Sequence, residues 1–260
     1  MTETRPWDRA ASVPALVDGR RLPEVAALAH DRPTVAELFD FMRDAELRFA
    51  TLRMRLVERS LTTRGEDSTT MDVMLRHPGD ARVITSRDGT TVGGDHEVWI
   101  SDGEIVRTYS GLHRYGTQRP VRARPRGLGD PDFPGPARVY DPVTALPAGT
   151  LAETFVHPAG FCQNVLATGR CTVTGSDVVN GREAILLECD HPRTTRLPGD
   201  RPDFRISIAV DRETGVILRL VESIGGSVSR QADVVDLAPD AALPPSAFEF
   251  VIPSGATMLY

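Results

Sequence analysis

The chain has 260 residues and a formal net charge of −6, and its apolar and charged fractions are those of a globular protein. This charge argues against a nucleic-acid binder, which usually carries a basic face or stripe. All 30 cationic side chains are Arg, so the chain has no lysine for a Schiff base, a P-loop or a Ser–Lys catalytic pair.

The beginning of the chain resembles neither a signal peptide nor a membrane anchor. Residues 1–8 are charged and lack an apolar stretch, and no later segment approaches the ~20 apolar residues of a membrane span. We therefore expect a cytoplasmic protein without a transmembrane segment. Residues 1–32, broken by prolines, are predicted to form a leader, and 33–260 a single domain.

A helix is the first element that the sequence predicts. Thr34 is a good N-cap, and Glu37 three residues later completes a capping box. Apolar residues then recur at helical spacing from Val35 to Met42. The helix should therefore present one apolar stripe to the rest of the domain.

After the helix the hydrophobic period changes to two, which is typical of strands with one buried face. Apolar runs alternate with turn sequences at 62–67, 77–80, 102–103, 180–181 and 225–226. We predict roughly nine to eleven strands, the last of them at Phe248–Phe250. Sequential hairpins favour one large antiparallel sheet, and a sheet of this size usually curls or closes.

Residues 119–149 interrupt this pattern with many prolines, glycines and arginines. Long segments without secondary structure are uncommon inside compact domains and often serve as lids or binding loops. Two interpretations stay open for this insertion, a lid over a binding site or a poorly ordered surface loop.

Four motifs, in this order, resemble the LolA-like family of lipoprotein carriers with its LolB and RseB-type relatives. Residues 75–82 resemble the family's Arg-Pro-Gly turn, and 98–109 its strand–Asp-Gly–strand unit. Residues 208–215 resemble its strand ending in Asp, two variable positions, Thr and Gly. Residues 243–253 resemble its closing Leu-Pro-x-Ser-x-Phe-x-Phe-x-x-Pro, so the likeness runs from about Thr34 to Ile252.

The resemblance implies an α+β, mainly β fold, in which a large curved antiparallel sheet forms an open half-barrel with an N-terminal helix and a lid loop. It also implies a hydrophobic cavity that takes acyl chains. Apolar residues of in-facing parity are the candidates to line it, or else they pack on the helix as a closed core. These candidates are Met54, Leu56, Met71, Val73, Trp99, Tyr109, Ile206, Ile208, Leu218 and Phe250.

A polar rim to this cavity is predicted just after a strand, at His113, Arg114 and Tyr115. Ordinary packing at the sheet edge is the alternative for these three residues. Cys162 and Cys171 either pair across a hairpin or stay reduced together with Cys189.

The sequence lacks the common motifs of catalytic and metal-binding chemistry. The six histidines form neither HxxxH nor HExxH, the three cysteines lack CxxC spacing, and neither GxSxG nor GxGxxG occurs. We therefore predict no catalytic residue, no metal site and no cofactor.

Three functions are consistent with the sequence. The first is non-enzymatic binding or carriage of a lipid or another hydrophobic molecule on the concave face of the sheet. The second is a regulatory module that contacts a protein partner, and the third is a cofactor-free biosynthetic enzyme on the same scaffold. Fold alone does not decide between them.

Overall fold

The computed structural model describes residues 32–62, 65–87, 95–121, 142–194, 196–197 and 199–259, together with three short pieces near the N-terminus. Two of these pieces, Leu16–Val17 (β1) and Arg20–Arg21 (β2), pair as a small antiparallel ladder. Most of the predicted leader, 1–32, lies outside the described residues. None of the described helices is both long and apolar enough to span a membrane.

Twelve strands form one sheet, in the spatial order β14-β8-β7-β6-β5-β4-β3-β13-β12-β11-β10-β9. Every neighbouring pair is antiparallel except β14 with β8. The strands are β3 (Thr51–Thr62), β4 (Gly65–Arg76), β5 (Asp80–Arg87), β6 (His96–Asp102), β7 (Ile105–Ser110), β8 (Tyr115–Pro120), β9 (Arg170–Val179), β10 (Arg182–Asp190), β11 (Phe204–Asp211), β12 (Ile217–Ile224), β13 (Ser227–Pro239) and β14 (Thr257–Leu259). The predicted mainly β fold with a large open antiparallel sheet is confirmed.

Within the described part of the chain, three short helices pack on this sheet: α1 (Val35–Arg43), α2 (Leu151–Val156) and α3 (Ala159–Asn164). The predicted capping box of α1 is present. The Thr34 hydroxyl accepts a hydrogen bond from the Glu37 backbone N–H at 3.2 Å, and the Glu37 carboxylate accepts one from the Thr34 N–H at 2.7 Å. Single 3₁₀ turns lie at Ala45–Arg48, Leu166–Thr168 and Pro245–Phe248.

The two faces of the sheet are covered by different parts of the chain. The face that carries the three helices, called the helix face below, holds the main core. There Leu38 and Phe155 of the helices share one buried cluster with Leu56 and Val73 of the strands. The opposite face, called the outer face, is covered across β4 to β6 by the C-terminal segment, where Phe248 packs on Ile100 and Met74.

The C-terminal segment corrects one sequence prediction. Residues Phe248–Phe250 do not form a strand, because Pro245–Phe248 is a 3₁₀ turn. Pro244 and Pro245 have no backbone N–H to donate to a neighbouring strand, and their fixed φ suits a turn. The last strand forms further on, at Thr257–Leu259, alongside β8.

The insertion and the turns also differ from their predicted bounds. Residues 119–120 belong to β8, and 142–149 are described, with Thr144 and Leu146 buried. The remaining residues, 122–141, lie outside the described part, so both interpretations of the insertion, a lid or a surface loop, stay predictions. The predicted turn at 62–67 is shorter, because β4 already begins at Gly65.

All three cysteines are free thiols. Cys162 lies on α3 and therefore does not share a hairpin with Cys171, so the alternative of reduced thiols describes the structure. Cys171 on β9 lies opposite Cys189 on β10 instead.

The turn between β11 and β12 forms a socket for the buried side chain of Arg48. Its guanidinium lies 3.8 Å above the Phe41 ring and donates to the Phe41 carbonyl at 2.7 Å and to the Thr214 carbonyl at 3.2 Å. Gly215 has φ +82°, and a Cβ there would lie 3.1 Å from Arg48 Nη1. The Asp-x-x-Thr-Gly motif thus brings the backbone close to α1, and the socket joins this helix to the far half of the sheet.

Asp211 holds this socket in shape. Its carboxylate accepts hydrogen bonds from the Thr214 N–H at 2.9 Å and the Thr214 hydroxyl at 2.6 Å. It also forms a two-pronged pair with the Arg182 guanidinium, at 2.7 and 2.9 Å. Asp211 is 1% exposed, so these bonds replace all of its water.

We expect Asp211→Asn to lower the free energy of unfolding by about 3 kcal/mol, because it removes one partner of a buried charge pair. Chemical denaturation measures the loss. Asp72→Asn is the matched control, since Asp72 makes the same two-pronged pair with Arg55 at the surface, where such pairs contribute less than about 1 kcal/mol. Equal losses in the two variants would contradict the role of the socket.

Candidate functional site

A cleft of about 250 Å³ opens on the helix face, across β5 to β8. One of its walls comes from the residues that lead into α2. The lining residues are Val83, Thr85, Glu97, Val98, Trp99, Thr108, Tyr109, Ser110, Tyr115, Pro147 and Thr150. The cleft therefore begins where the cover of the core by the helices ends.

Strand register arranges the floor of the cleft in two rows. Residues directly opposite each other on neighbouring strands point to the same face of a sheet. One row is largely apolar and consists of Val83, Trp99 and Thr108. The next row is polar and consists of Thr85, Glu97, Ser110 and Tyr115.

The apolar row continues directly from the core. Val83 is opposite Val73, which in turn is opposite Met54. In the same way, Thr85 of the polar row is opposite Met71. Both rows thus adjoin core residues, one with mainly apolar and the other with mainly polar side chains, so the cleft suits a molecule with one apolar and one polar part.

The α2 wall of the cleft is fixed by two buried anchors at the end of the insertion. The Val143 N–H donates to the Glu46 carboxylate, at 3.0 Å to Oε2. The Thr144 hydroxyl, which is fully buried, lies 2.7 Å from His77 Nδ1 and accepts from the Gly79 N–H at 2.9 Å. These bonds hold residues 142–146 on the body of the domain, and the cleft wall follows directly after them.

His77 is the titratable group of this anchor. Its ring stacks on Phe49, with the ring centroids 5.6 Å apart. Burial lowers the pKa of His77 to about 4, because an apolar environment disfavours the charged imidazolium. The ring is therefore neutral at physiological pH, and its bond to Thr144 is one between neutral groups.

A charged cluster lies on the helix face at the ends of β3, β12 and β13. Arg230 makes ion pairs with Glu58 and, at 3.3 Å, with Glu222, while Arg196 lies 3.9 Å from Glu222. Burial raises the pKa of both Glu58 and Glu222. The carboxylates and guanidiniums compensate one another, so the cluster serves the fold and offers no uncompensated charge to a ligand.

Comparison with solved structures finds similar folds. MucB matches with a TM-score of 0.50 at 14% identity, over 86% of this chain and 64% of MucB, so the chain spans about two thirds of the MucB chain. MucB in its complex with MucA from Pseudomonas aeruginosa matches with a TM-score of 0.46 at 14% identity, over 84% of this chain and 61% of the matched chain. A LolA superfamily protein from Nitrosomonas europaea matches with a TM-score of 0.33 at 9% identity, over 84% of this chain and 98% of the matched chain.

The chain has a LolA-like fold. The predicted resemblance is confirmed at this level, and identities this low concern the fold alone. Neither a protein-family model nor a curated protein matches the sequence.

Most of the apolar residues predicted to line a cavity lie in the closed core of this LolA-like fold. Trp99 lines the cleft. Seven others are buried among the helices and strands, with relative exposures of at most 9%: Met54, Leu56, Met71, Val73, Ile206, Ile208 and Leu218. In this structure they pack against one another, so the closed-core alternative describes their position.

Tyr109 and Phe250 depart from the predicted in-facing parity. Tyr109 is opposite Val98 and Gly116, which belong to the outer face, and its ring lies 6.0 Å from that of Phe250. It borders the cleft although its ring packs on the other side of the sheet. Phe250 lies in the C-terminal segment, to which strand parity does not apply.

The three predicted rim residues have different positions. Tyr115 lines the cleft, and the exposed ring of His113 stacks on it with centroids 5.7 Å apart. Arg114 is exposed in the turn before β8, where its carbonyl accepts a hydrogen bond from the Thr257 N–H. Two of the three residues therefore lie at the cleft mouth.

The sequence analysis missed Thr85, Glu97 and Ser110 of the polar row, and it missed the α2 wall. A signal for α2 was present, because Thr150 and Glu153 repeat the Thr34–Glu37 spacing, and the Thr150 hydroxyl does accept from the Glu153 N–H. Among the described residues, no three His, Cys, Asp or Glu side chains are grouped as a metal ion requires.

The lowered pKa of His77 predicts a loss of stability in acid. Between pH 6.5 and about 4 the unfolded chain binds a proton at His77 and the folded chain does not, so the free energy of unfolding falls as the pH is lowered through this window. We expect this residue to account for about 3 kcal/mol of that fall. Denaturation at several pH values measures it.

The His77→Gln variant isolates this contribution, since its unfolding free energy should change less than that of the wild type between pH 6.5 and 4. His191→Gln is the control, because His191 is paired with Asp200 at the surface. Identical pH profiles for the wild type and His77→Gln would show that His77 titrates as an ordinary histidine.

Proposed function

We propose that the chain binds a small apolar or amphipathic molecule in the cleft of the helix face. The observation that carries this proposal is the pair of rows on the cleft floor. Val83 and the partly buried Trp99 offer apolar contact beside the core, and the hydroxyls of Thr85, Ser110 and Tyr115 lie in the adjacent row.

The size and charge of the cleft narrow the ligand class. Its volume of about 250 Å³ lies just below the roughly 300–1,000 Å³ of pockets that take drug-sized ligands. Among the described lining residues Glu97 is the one carboxylate, and none is cationic. A neutral or cationic polar group is therefore favoured over an anionic one.

The LolA-like fold supports carriage of a lipid or another hydrophobic molecule in a general sense. A long acyl chain would need more room than the cleft provides. Met71, 9% exposed, lies at the border between cleft and core, opposite Thr85. An unbranched Met side chain changes its packing readily, so the core would open at this residue first.

Two fluorescent probes that differ by one sulfonate test the proposal. N-phenyl-1-naphthylamine is neutral, whereas 8-anilino-1-naphthalenesulfonate carries a negative charge. We expect the neutral probe to bind more tightly. Trp99→Ala should weaken its binding at least about tenfold, which corresponds to the roughly 1.4 kcal/mol expected from the loss of a large apolar contact.

Val178→Ala serves as the control, because Val178 is 63% exposed on the edge strand β9, and we expect it to leave the affinity unchanged. Native mass spectrometry of the freshly purified protein adds a search for a natural ligand. Equal affinity of the wild type and Trp99→Ala for the neutral probe would overturn the assignment of the cleft as the binding site.

A further inference from the structure

Two thiols face each other at the edge of the sheet. Cys171 on β9 and Cys189 on β10 are directly opposite in the antiparallel register. Their sulfur atoms lie 3.1 and 3.2 Å from the same atom, the carbonyl oxygen of Leu166. Both side chains therefore point to the same side of the strand pair and converge on one point.

This arrangement fits the dimensions of a disulfide. Directly opposite residues in antiparallel strands have Cα atoms about 4.5 or 5.5 Å apart, and disulfides join Cα atoms about 4.4–6.8 Å apart. Opposite Cβ atoms, at about 4.5–5.5 Å, are slightly further apart than the mean of about 3.8 Å in disulfides. A bond between the two would form without a change of register and would be easier to reduce than a relaxed one.

The two cysteines differ in access, which assigns them different roles. Cys171 is partly exposed on the edge strand, whereas Cys189 is fully buried. When Cys171 is ionised, the Cys189 thiol can turn its proton from the Leu166 carbonyl to the Cys171 sulfur, which lowers the pKa of Cys171, and a thiolate is the reactive form of cysteine. Cys171 is thus the thiol that reacts first with a reagent from solution, and Cys189 is the second thiol, which reacts with Cys171.

We propose that Cys171 and Cys189 form a dithiol site that a low-molecular-weight disulfide oxidises to a cross-strand disulfide. The Cys171 thiolate attacks one sulfur of the reagent, forms a mixed disulfide and releases the first reagent thiolate. The Cys189 thiol then passes its proton to the released thiolate and attacks the Cys171 sulfur, which releases the second reagent thiolate. The dithiol gives up two electrons, and the reagent is reduced to two thiols.

Oxidation would also change hydrogen bonds on the helix face. In the reduced form both thiols donate to the Leu166 carbonyl, which accepts the Gly169 N–H as well, at 3.0 Å. A disulfide has no S–H to donate. The 3₁₀ turn Leu166–Thr168, whose Leu166 is buried in the core, would therefore keep the Gly169 bond and lose the other two.

Oxidised glutathione acting on the reduced full-length chain tests the site. We expect the intact mass to fall by two hydrogen atoms, with one alkylated thiol after unfolding instead of three. Peptide mapping should show Cys171 joined to Cys189 and the label on Cys162. A lasting glutathione adduct on the wild type, a bond that includes Cys162, or three reactive thiols would each overturn the proposal.

Three variants assign the roles. Cys171→Ser should remove the reaction, and Cys189→Ala should stop it at a stable glutathione adduct on Cys171. Cys162→Ser is the matched control and should form the disulfide as the wild type does, because Cys162 is buried on α3 with its thiol directed to Met42. Should Cys189→Ala fail to fold, the wild-type peptide map still decides whether the disulfide forms.

Discussion

A buried guanidinium joins the two halves of the sheet. Arg48 precedes the central strand β3 in sequence and reaches the β11–β12 turn, where it donates to Thr214 and stacks on Phe41. Burial lowers the pKa of Arg48 to about 10, so the side chain stays charged at neutral pH and needs its carbonyl acceptors. Because α1 is held at this place, its apolar stripe covers the core and leaves β5 to β8 free to form the cleft.

The sequence predicts those parts of the fold that depend on local chemistry. The Thr34–Glu37 box specifies the start of α1 because both partners lie within one turn. Asn180-Gly181 specifies a hairpin because both residues adopt positive φ, at +49° and +79°. The Asp211–Gly215 motif was found by resemblance. Its physical role, a socket for a residue more than 160 positions away, belongs to tertiary structure.

Strand parity predicted the face of most candidate residues, but it did not show what covers that face. The cover of each face depends on segments outside the strands, so the pattern alone did not separate cleft from core. The side chains of Trp99 and Met71 point to the same face of the sheet, yet Met71 is buried in the core and Trp99 lines the cleft.

The position of charge on the helix face also limits what the domain can bind. The Arg230 cluster is compensated internally, and breaking it would leave carboxylates buried without a partner, which costs several kcal/mol (about 3–5). A ligand is therefore not expected to recruit these charges. The hydroxyls and Glu97 remain as polar contacts among the described lining residues. A neutral polar group can bond to hydroxyls without displacing an ion pair, whereas an anion would face Glu97. The proposed selectivity by charge thus follows from the same strand register that places Trp99 beside the core.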